Sequence, residues 1–205
     1  MDIISNPPEA SLPSTHSSLH LSNEFTISCG TVTIDLKTSK VLLILYRKTG
    51  EFLLPKGRKN FGEKLEETAI RETYEETGYK VELLPLPIVT LATGRELARL
   101  DTFPSNFNIE PIAVQQRISN GKLKIIFWFA AKGDSASVPK NGTQQEGEDF
   151  DARWVPKDEG LKILTFNSDC QIFAKVLDAV QEGQKMWKEL ETTGTYTRPP
   201  PRALS

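Results

Sequence analysis

The feature that most constrains this chain is a short helical segment crowded with glutamates. Residues 66–77 are rich in helix formers and lack proline, and Gly78 follows as the left-handed residue that commonly ends a helix. With about 100° of turn per residue, Glu72, Glu75 and Glu76 fall within roughly a 100° arc, next to an arc of apolar and small residues. Three carboxylates are therefore predicted to converge at the rim of a buried face.

This crowding of carboxylates requires compensation. Like charges one turn apart each cost a helix about 0.2–0.5 kcal/mol, and partial burial increases the repulsion. A divalent cation offsets that cost, because carboxylate oxygens suit hard ions such as magnesium and manganese. Arg71 lies one turn before Glu75 and one turn after Glu67. It can therefore neutralise and orient the carboxylates that the metal does not bind. The helix therefore predicts a site for Mg2+ or Mn2+.

A solvated acidic face is the alternative interpretation, since most Glu-rich helical segments are of that kind. That interpretation does not require the residues that surround the cluster. Gly57, Glu63 and Gly78 stand at fixed distances from the four charged helix residues. Such a seven-position pattern would arise by chance in a chain of this size on the order of once in a million. We therefore favour the metal site.

The segment from Gly57 to Tyr79 resembles the Nudix box, the signature of hydrolases that act on a nucleoside diphosphate linked to another moiety. The resemblance implies an α/β protein, specifically a Nudix-type α/β/α sandwich with a mixed β-sheet between helices. Thr73 and Tyr79 depart from the pattern, because the family usually has aliphatic residues there. Both departures concern packing and leave the metal chemistry intact.

The resemblance also implies roles for the matched residues. Glu72, Glu75 and Glu76 would bind magnesium, with Glu75 or Glu72 doubling as the base that activates water. Arg71 would orient the glutamates, and Lys56, which precedes the first glycine, would offer its backbone carbonyl to the metal. Three further matched residues would have supporting roles: Gly57 in the loop, Glu63 in the loop and around the metal, and Gly78 at the helix end.

Basic residues crowd the same region and suggest a substrate with several phosphates. Lys56, Arg58 and Lys59 directly precede the glutamate helix, and Arg47 ends a predicted strand. Each well-formed charge-assisted hydrogen bond to a phosphate is worth about 1.5–3 kcal/mol. The alternative is that these side chains only solvate an exposed loop. Glu146, Glu148 and Asp149 in a later acidic loop are candidates for a further metal-binding carboxylate, and the alternative is that this loop is only solvated.

Two functions follow as hypotheses. The first is a magnesium-dependent pyrophosphohydrolase acting on a dinucleoside polyphosphate, a diphosphoinositol polyphosphate or an mRNA 5′ cap. These substrates are named because Pro55-Lys56-Gly57 resembles the start of the box in enzymes of those classes. The alternative is a non-catalytic Nudix-fold module that binds or senses a nucleotide or inositol phosphate. The intact glutamates and Arg71 count against it. A third interpretation, an acidic interaction helix without an active site, leaves Gly57 and Glu63 unexplained.

Composition limits the number of domains, the partners and the cellular compartment to be expected. The chain has 205 residues and a formal net charge of −2, enough for one domain and without general attraction to nucleic acid or membrane. Cys29 and Cys170 lack metal-type spacing and are expected to be reduced core thiols. Both histidines lie in the Ser/Pro-rich residues 6–22, so a histidine base or zinc ligand in the core is excluded. The N-terminus lacks the features of a secretory leader, and a cytoplasmic or nuclear protein is expected.

The hydrophobic pattern predicts one domain over residues 24–191, which by the resemblance would be a Nudix hydrolase domain, with a flexible arm at 1–23 and an extended Pro-rich tail at 192–205. Trp128 is expected in the core of a central strand. Strands are predicted at 26–35, 41–47, 52–54, 81–91, 124–131 and 151–155, helices at 66–77 and 169–191, and loops at 55–59, 92–120 and 133–147.

Overall fold

The protein is built on one mixed β-sheet with helices on both faces. The computed structural model describes residues 18–92 and 107–193. Within these ranges the strands are β1 (Phe25–Asp35), β2 (Lys40–Tyr46), β3 (Glu51–Leu53), β4 (Lys56–Arg58), β5 (Glu82–Leu83), β6 (Ala113–Ser119), β7 (Lys122–Lys132) and β8 (Phe150–Pro156). The helices are α1 (Leu65–Thr77), α2 (Lys157–Ile163) and α3 (Asn167–Thr192). The expected α/β sandwich is confirmed.

The sheet is centred on β1 and β7, which run parallel to each other from the pair Phe25–Leu123 to the pair Ile34–Lys132. β1 is buried from Ser28 to Asp35 and β7 from Trp128 to Ala131, so both strands are covered on both faces. Ala69 of α1 packs with Cys29 on one face, and Phe173 of α3 packs with Trp128 on the other. We call these the α1 face and the α3 face of the sheet.

The expected core positions hold for Trp128 and Cys29, whereas Cys170 is only partly buried. Trp128 is completely buried, and both cysteines are free thiols. The two departures from the box pattern are also accommodated. Thr73 shares a hydrogen bond of 2.8 Å with Thr31 beneath α1, and Tyr79 packs edge-on against Trp154. No helix of the described residues is long and apolar enough to cross a membrane.

The prediction of a loop over residues 92–120 was wrong for its described second half. Residues 113–119 form β6, which pairs antiparallel with β7. Asn120 and Gly121 connect the two strands with φ of 52° and 72°, the left-handed pair that a two-residue hairpin turn needs. Pro104 and Pro111 outweighed this Asn-Gly signal in the sequence. Residues 93–106 lie outside the described residues.

Other boundaries also differ from expectation. Residues 55–59 were predicted as a loop, yet 56–58 form β4 against β1. Gly30 permits this approach, because a Cβ there would lie 2.5 Å from both Lys56 Cβ and Pro55 O. The strand expected at 81–91 shrinks to β5 and one bridge between Leu86 and Asn108, since prolines interrupt it. Helix α2 was not predicted, because seven residues are too few to establish a helical period.

Candidate active site

Gly78 fixes both the end of α1 and the loop that approaches it. Its φ of 74° is left-handed, and its N–H donates to the carbonyl of Tyr74. The N–H of Lys140 donates to the Gly78 carbonyl at 2.9 Å. A Cβ at position 78 would overlap the Lys140 carbonyl oxygen. Glycine is therefore required for the backbone conformation and for the close packing of the residue 140 region.

Arg71 is the centre of the charged cluster. Its Nε donates to Glu63 Oε1 at 2.7 Å, and its Nη1 donates to Glu72 Oε1 at 2.7 Å and to Glu75 Oε2 at 2.8 Å. Its Nη2 donates to Glu63 Oε2 and to the carbonyl of Arg58, both at 2.9 Å. A guanidinium has five N–H donors, and all of them are used here. Arg71 thus orients Glu72 and Glu75 and ties them to the β4 backbone.

Glu63 supports the loop before α1. Besides its paired bonds to Arg71, it accepts hydrogen bonds from the backbone N–H of Asn60 at 2.9 Å and from the Thr68 hydroxyl at 2.8 Å. The Arg71 hydrogen bond is the main reason why the pKa of Glu63 falls to about 2, against the opposing effect of burial. Glu63 is therefore a permanently charged counter-ion for Arg71.

Glu72 lies under the first glycine of the box. Only 4% of its side chain is exposed, and a Cβ at Gly57 would overlap its carboxylate. Burial raises the pKa of Glu72, although the bond from Arg71 opposes that effect. Gly57 is therefore needed so that the backbone of β4 can lie directly against this carboxylate.

Glu76 is hydrogen-bonded to the β4 backbone rather than to Arg71. Its Oε2 accepts the backbone N–H of Lys56 at 2.7 Å, and the residue is 3% exposed. Burial raises the pKa of Glu76 to about 8, with the charges of Lys56 opposing and those of Glu148 and Glu72 adding to the shift. This carboxylate is therefore short of positive charge.

The donor set fits a divalent cation in type and charge. Glu63, Glu72 and Glu75 share the Arg71 guanidinium, and the buried Glu76 lies on the same helix and accepts the Lys56 N–H. Hard divalent ions prefer carboxylate oxygen donors of this kind. Between residues 18–92 and 107–193, no three acidic, histidine or cysteine side chains are gathered into a metal-binding group. In this arrangement Arg71 lies between Glu72 and Glu75, whereas Glu76 turns toward the Lys56 amide.

The polar loop after β7 closes over the C-terminal half of α1. Thr143 donates to the Glu75 carbonyl at 2.8 Å, and the Gln145 amide donates to Glu75 Oε2 at 3.1 Å. The Gln145 N–H donates to Glu148 Oε2 at 3.0 Å, and the charge of Glu148 raises the pKa of the buried glutamates. Sequence reasoning missed Thr143 and Gln145, because a polar loop carries no pattern.

Of the three candidates for a further carboxylate, Glu148 is therefore the one whose charge acts on the cluster. Asp149 instead pairs with Arg47 at 3.4 Å. For Glu146 the structure records neither an ion pair nor a hydrogen bond with any described residue.

The four cations predicted to bind substrate separate into different places. Lys56 and Arg58 are two residues apart on β4, so both lie on the α3 face of the sheet. They are paired with Gly30 and Ser28 of β1. Lys59 acts electrostatically on Cys29 of the α1 face, and its ammonium donates to the Asn60 carbonyl. Arg47 is engaged by Asp149 and, at 3.8 Å, by Asp151.

Two cations that the sequence did not single out lie near Lys56 and Arg58. Arg117 of β6 and Lys124 of β7 are directly opposite each other. The charges of Lys56, Arg58 and Arg117 all act on Lys124. The Asn-Gly turn would have revealed this pair, since it places residues 117 and 124 across a hairpin.

Comparison with known proteins identifies the family. Residues 25–174 match the family model for the NUDIX domain. The chain therefore belongs to the Nudix family, whose hydrolases act on phosphoanhydrides and generally use a divalent metal, typically Mg2+.

A solved structure supports this assignment of the fold, and two further ones are similar with lower scores. A C. elegans Ap4A hydrolase matches with a TM-score of 0.53 at 17% identity, over 77% of this chain and 98% of that one. A NUDIX hydrolase from Nitrosomonas europaea matches with a TM-score of 0.49 at 16% identity, over 73% and 86%. A MutT protein from Bacillus halodurans matches with a TM-score of 0.47 at 22% identity, over 73% and 80%.

Proposed function

We propose that this chain is a magnesium- or manganese-dependent pyrophosphohydrolase that cleaves a phosphoanhydride in a polyphosphorylated substrate. The observation that supports this most strongly is the fixed cluster in which Arg71 holds Glu72 and Glu75 on the same helix as the buried Glu76. A binding module does not need such an arrangement, because uncompensated buried carboxylates destabilise the fold.

The residues that would hold the metal are Glu72, Glu75 and Glu76, with the backbone carbonyl of Lys56. When bound, a divalent cation lowers the pKa of water and neutralises charge on phosphate oxygens. Arg71 holds two of the carboxylates in place and leaves the third, Glu76, to the Lys56 amide. The three carboxylates are thereby fixed on one helix by hydrogen bonds to Arg71 and to the β4 backbone.

We assign the general base to Glu75 rather than Glu72. Its side chain is 27% exposed, against 4% for Glu72, so water reaches it more readily. Its Oε2 is occupied by Arg71 and Gln145, and its Oε1 accepts no hydrogen bond from any described residue. Glu75 Oε1 takes a proton from the attacking water as the water oxygen bonds to phosphorus. The anhydride P–O bond breaks, and the leaving phosphate keeps the electron pair.

The substrate classes that we propose are a dinucleoside polyphosphate, a diphosphoinositol polyphosphate and a capped RNA end. Cations whose charges reach the carboxylate cluster support them, because Lys56 and Lys124 both interact electrostatically with Glu76. Arg58 and Arg117 share the α3 face with these two lysines. A substrate with several phosphates would place one phosphate pair at the glutamates and others against these cations.

The test is a panel of these substrates with the full-length chain, analysed by product mass. We expect one or more phosphoanhydrides to be cleaved with Mg2+ or Mn2+, and cleavage to stop in chelator and return when the metal is restored. Substrate binding without any cleavage would favour the non-catalytic module instead. Cleavage at an unchanged rate in chelator would contradict metal dependence.

We expect Glu148→Gln to raise the concentration of Mg2+ needed for half-maximal activity by about tenfold, the scale for losing a group that supports a metal site. The reason is that the charge of Glu148 acts on both Glu72 and Glu76. Glu146→Gln in the same loop is the matched control and should change the requirement little. Equal requirements in both variants would place Glu148 in a solvated loop.

A further inference from the structure

Four neighbouring strands align their side chains into rows on the α3 face. The registers join β4 to β1, β1 to β7 and β7 to β6, and residues paired across strands point to the same face. Three successive rows on this face are Lys56, Gly30, Trp128 and Ala113; then Arg58, Ser28, Ile126 and Gln115; then Thr26, Lys124 and Arg117.

The cations in these rows repel one another. Lys124 and Arg117 are directly opposite across the hairpin, a position in which like charges destabilise a sheet. Burial lowers the pKa of Lys124 to about 8, and the charges of Lys56, Arg117 and Arg58 add to the shift. Within residues 18–92 and 107–193, Lys124 forms no ion pair. The half-buried ammonium therefore has an energetic cost that an anion would remove.

Arg117 is held in position by α3. Asp169, whose side chain is 4% exposed, accepts from Arg117 Nη2 at 3.3 Å, and the guanidinium lies 5.5 Å from the centre of the Phe166 ring. Asp169 is the one carboxylate paired with an arginine or lysine of these rows among the described residues. The charge of Glu76 also acts on Lys124 and is itself opposed by that of Lys56. Four cations facing two carboxylates, Asp169 and Glu76, still leave an excess of positive charge.

Two polar groups in the middle row also lack partners. The Ser28 hydroxyl is completely buried and, like the buried Oε1 of Gln115, has no hydrogen-bond partner within the described residues. Buried polar groups in proteins are nearly always satisfied. Because side-chain amides can be turned over, Gln115 can present a donor here as well as an acceptor. Both groups therefore point to a polar ligand on this face.

We propose that these rows bind a phosphate-rich part of the substrate, distinct from the anhydride that is cut, through Lys56, Arg58, Arg117 and Lys124 with Ser28 and Gln115 beneath. The inference rests on the proposed function, since it gives that site its substrate class. The rows adjoin the carboxylate cluster, because Arg58 O accepts from Arg71 and Lys56 N–H donates to Glu76. Trp128, the one aromatic residue in the rows, is fully buried and offers no ring to a base.

The test measures binding rather than catalysis. The full-length chain is titrated by calorimetry, in buffer freed of divalent cations, with inositol hexakisphosphate and with inorganic tripolyphosphate. The first probe carries phosphates on a ring and the second carries them in a chain. The probe that binds more tightly therefore shows whether the site prefers ring-borne or linear phosphates. AMP, which has one phosphate and a base, should bind at least about tenfold more weakly than the better probe.

The variants are Lys124→Met, Arg117→Gln and the control Lys175→Gln, which removes one exposed charge from α3. We expect the first two to weaken probe binding roughly ten- to hundredfold, the loss of one charge-assisted contact, and the control to stay within about twofold. Lys124→Met should leave the melting temperature of the free protein unchanged or higher, because it removes an uncompensated ammonium.

Equal weakening in all three variants, or no binding of either probe by the wild type, would overturn the proposal. So would a Lys124→Met protein that loses both binding and thermal stability, because that result marks a structural lysine. No bond is cleaved in this assay and no metal is present. Its failure is therefore distinguishable from a failure of the proposed hydrolase activity.

Discussion

Replacing Glu75 by glutamine is expected to lower kcat at least about a hundredfold, the lower end for losing a general base. Glutamine keeps the size of the side chain and can still accept the hydrogen bond from Arg71. It cannot take a proton from water at neutral pH. Steady-state kinetics on whichever substrate the panel identifies provides the measurement, with circular dichroism as the check on folding.

The matched control for this substitution is Glu67→Gln. Glu67 is exposed on the same helix two turns earlier, and its carboxylate accepts the Lys64 N–H at 3.1 Å. Glutamine can accept the same bond, so the control should retain near-wild-type turnover. A folded Glu75→Gln protein with the turnover of this control would refute the assignment of the base.

Arg71→Met is expected to reduce the free energy of unfolding by roughly 2–3 kcal/mol, below the range for fully buried pairs because the guanidinium is 22% exposed. Methionine fills a similar volume without charge. Glu63, Glu72 and Glu75 would then repel one another without the cation that now bridges them. Urea unfolding measures the loss.

A second substitution separates lost charge compensation from lost packing. If repulsion among the carboxylates causes the instability, adding Glu63→Gln to Arg71→Met should recover part of the stability, since one unpaired charge disappears. Glu63→Gln alone should destabilise the protein, because it weakens the paired bonds to Arg71. Fully additive losses in the double variant would show that Arg71 acts through packing rather than charge.

The part of the site that the sequence predicted is the part that is local. Arg71 and Glu75 are one helical turn apart, so a helix brings them together whatever the rest of the chain does. Gly57 was recognised from its spacing, and the structure supplies the reason, because its missing side chain makes room for the Glu72 carboxylate. A helix and its flanking turns carry enough periodic information for such a prediction.

The contacts that the sequence did not predict depend on strand pairing and loop closure. Interpreting residues 55–59 as a loop gave their side chains no direction, whereas β4 places Lys56 and Arg58 on one face. Arg117 and Lys124 reach the same face only through the β6–β7 hairpin. Gln145 meets Glu75 across 70 residues, a distance over which sequence patterns say nothing about proximity.

The most direct test of the central claim is manganese binding to the full-length chain, followed by electron paramagnetic resonance. This measurement examines the carboxylate cluster without requiring the substrate. We expect the wild type to bind Mn2+ and the Glu72→Gln/Glu76→Gln double variant to bind it at least about tenfold more weakly, because two oxygen anions are lost. Glu67→Gln should bind as the wild type does. Equal Mn2+ affinity in the folded double variant and the wild type would contradict the assignment of the metal site.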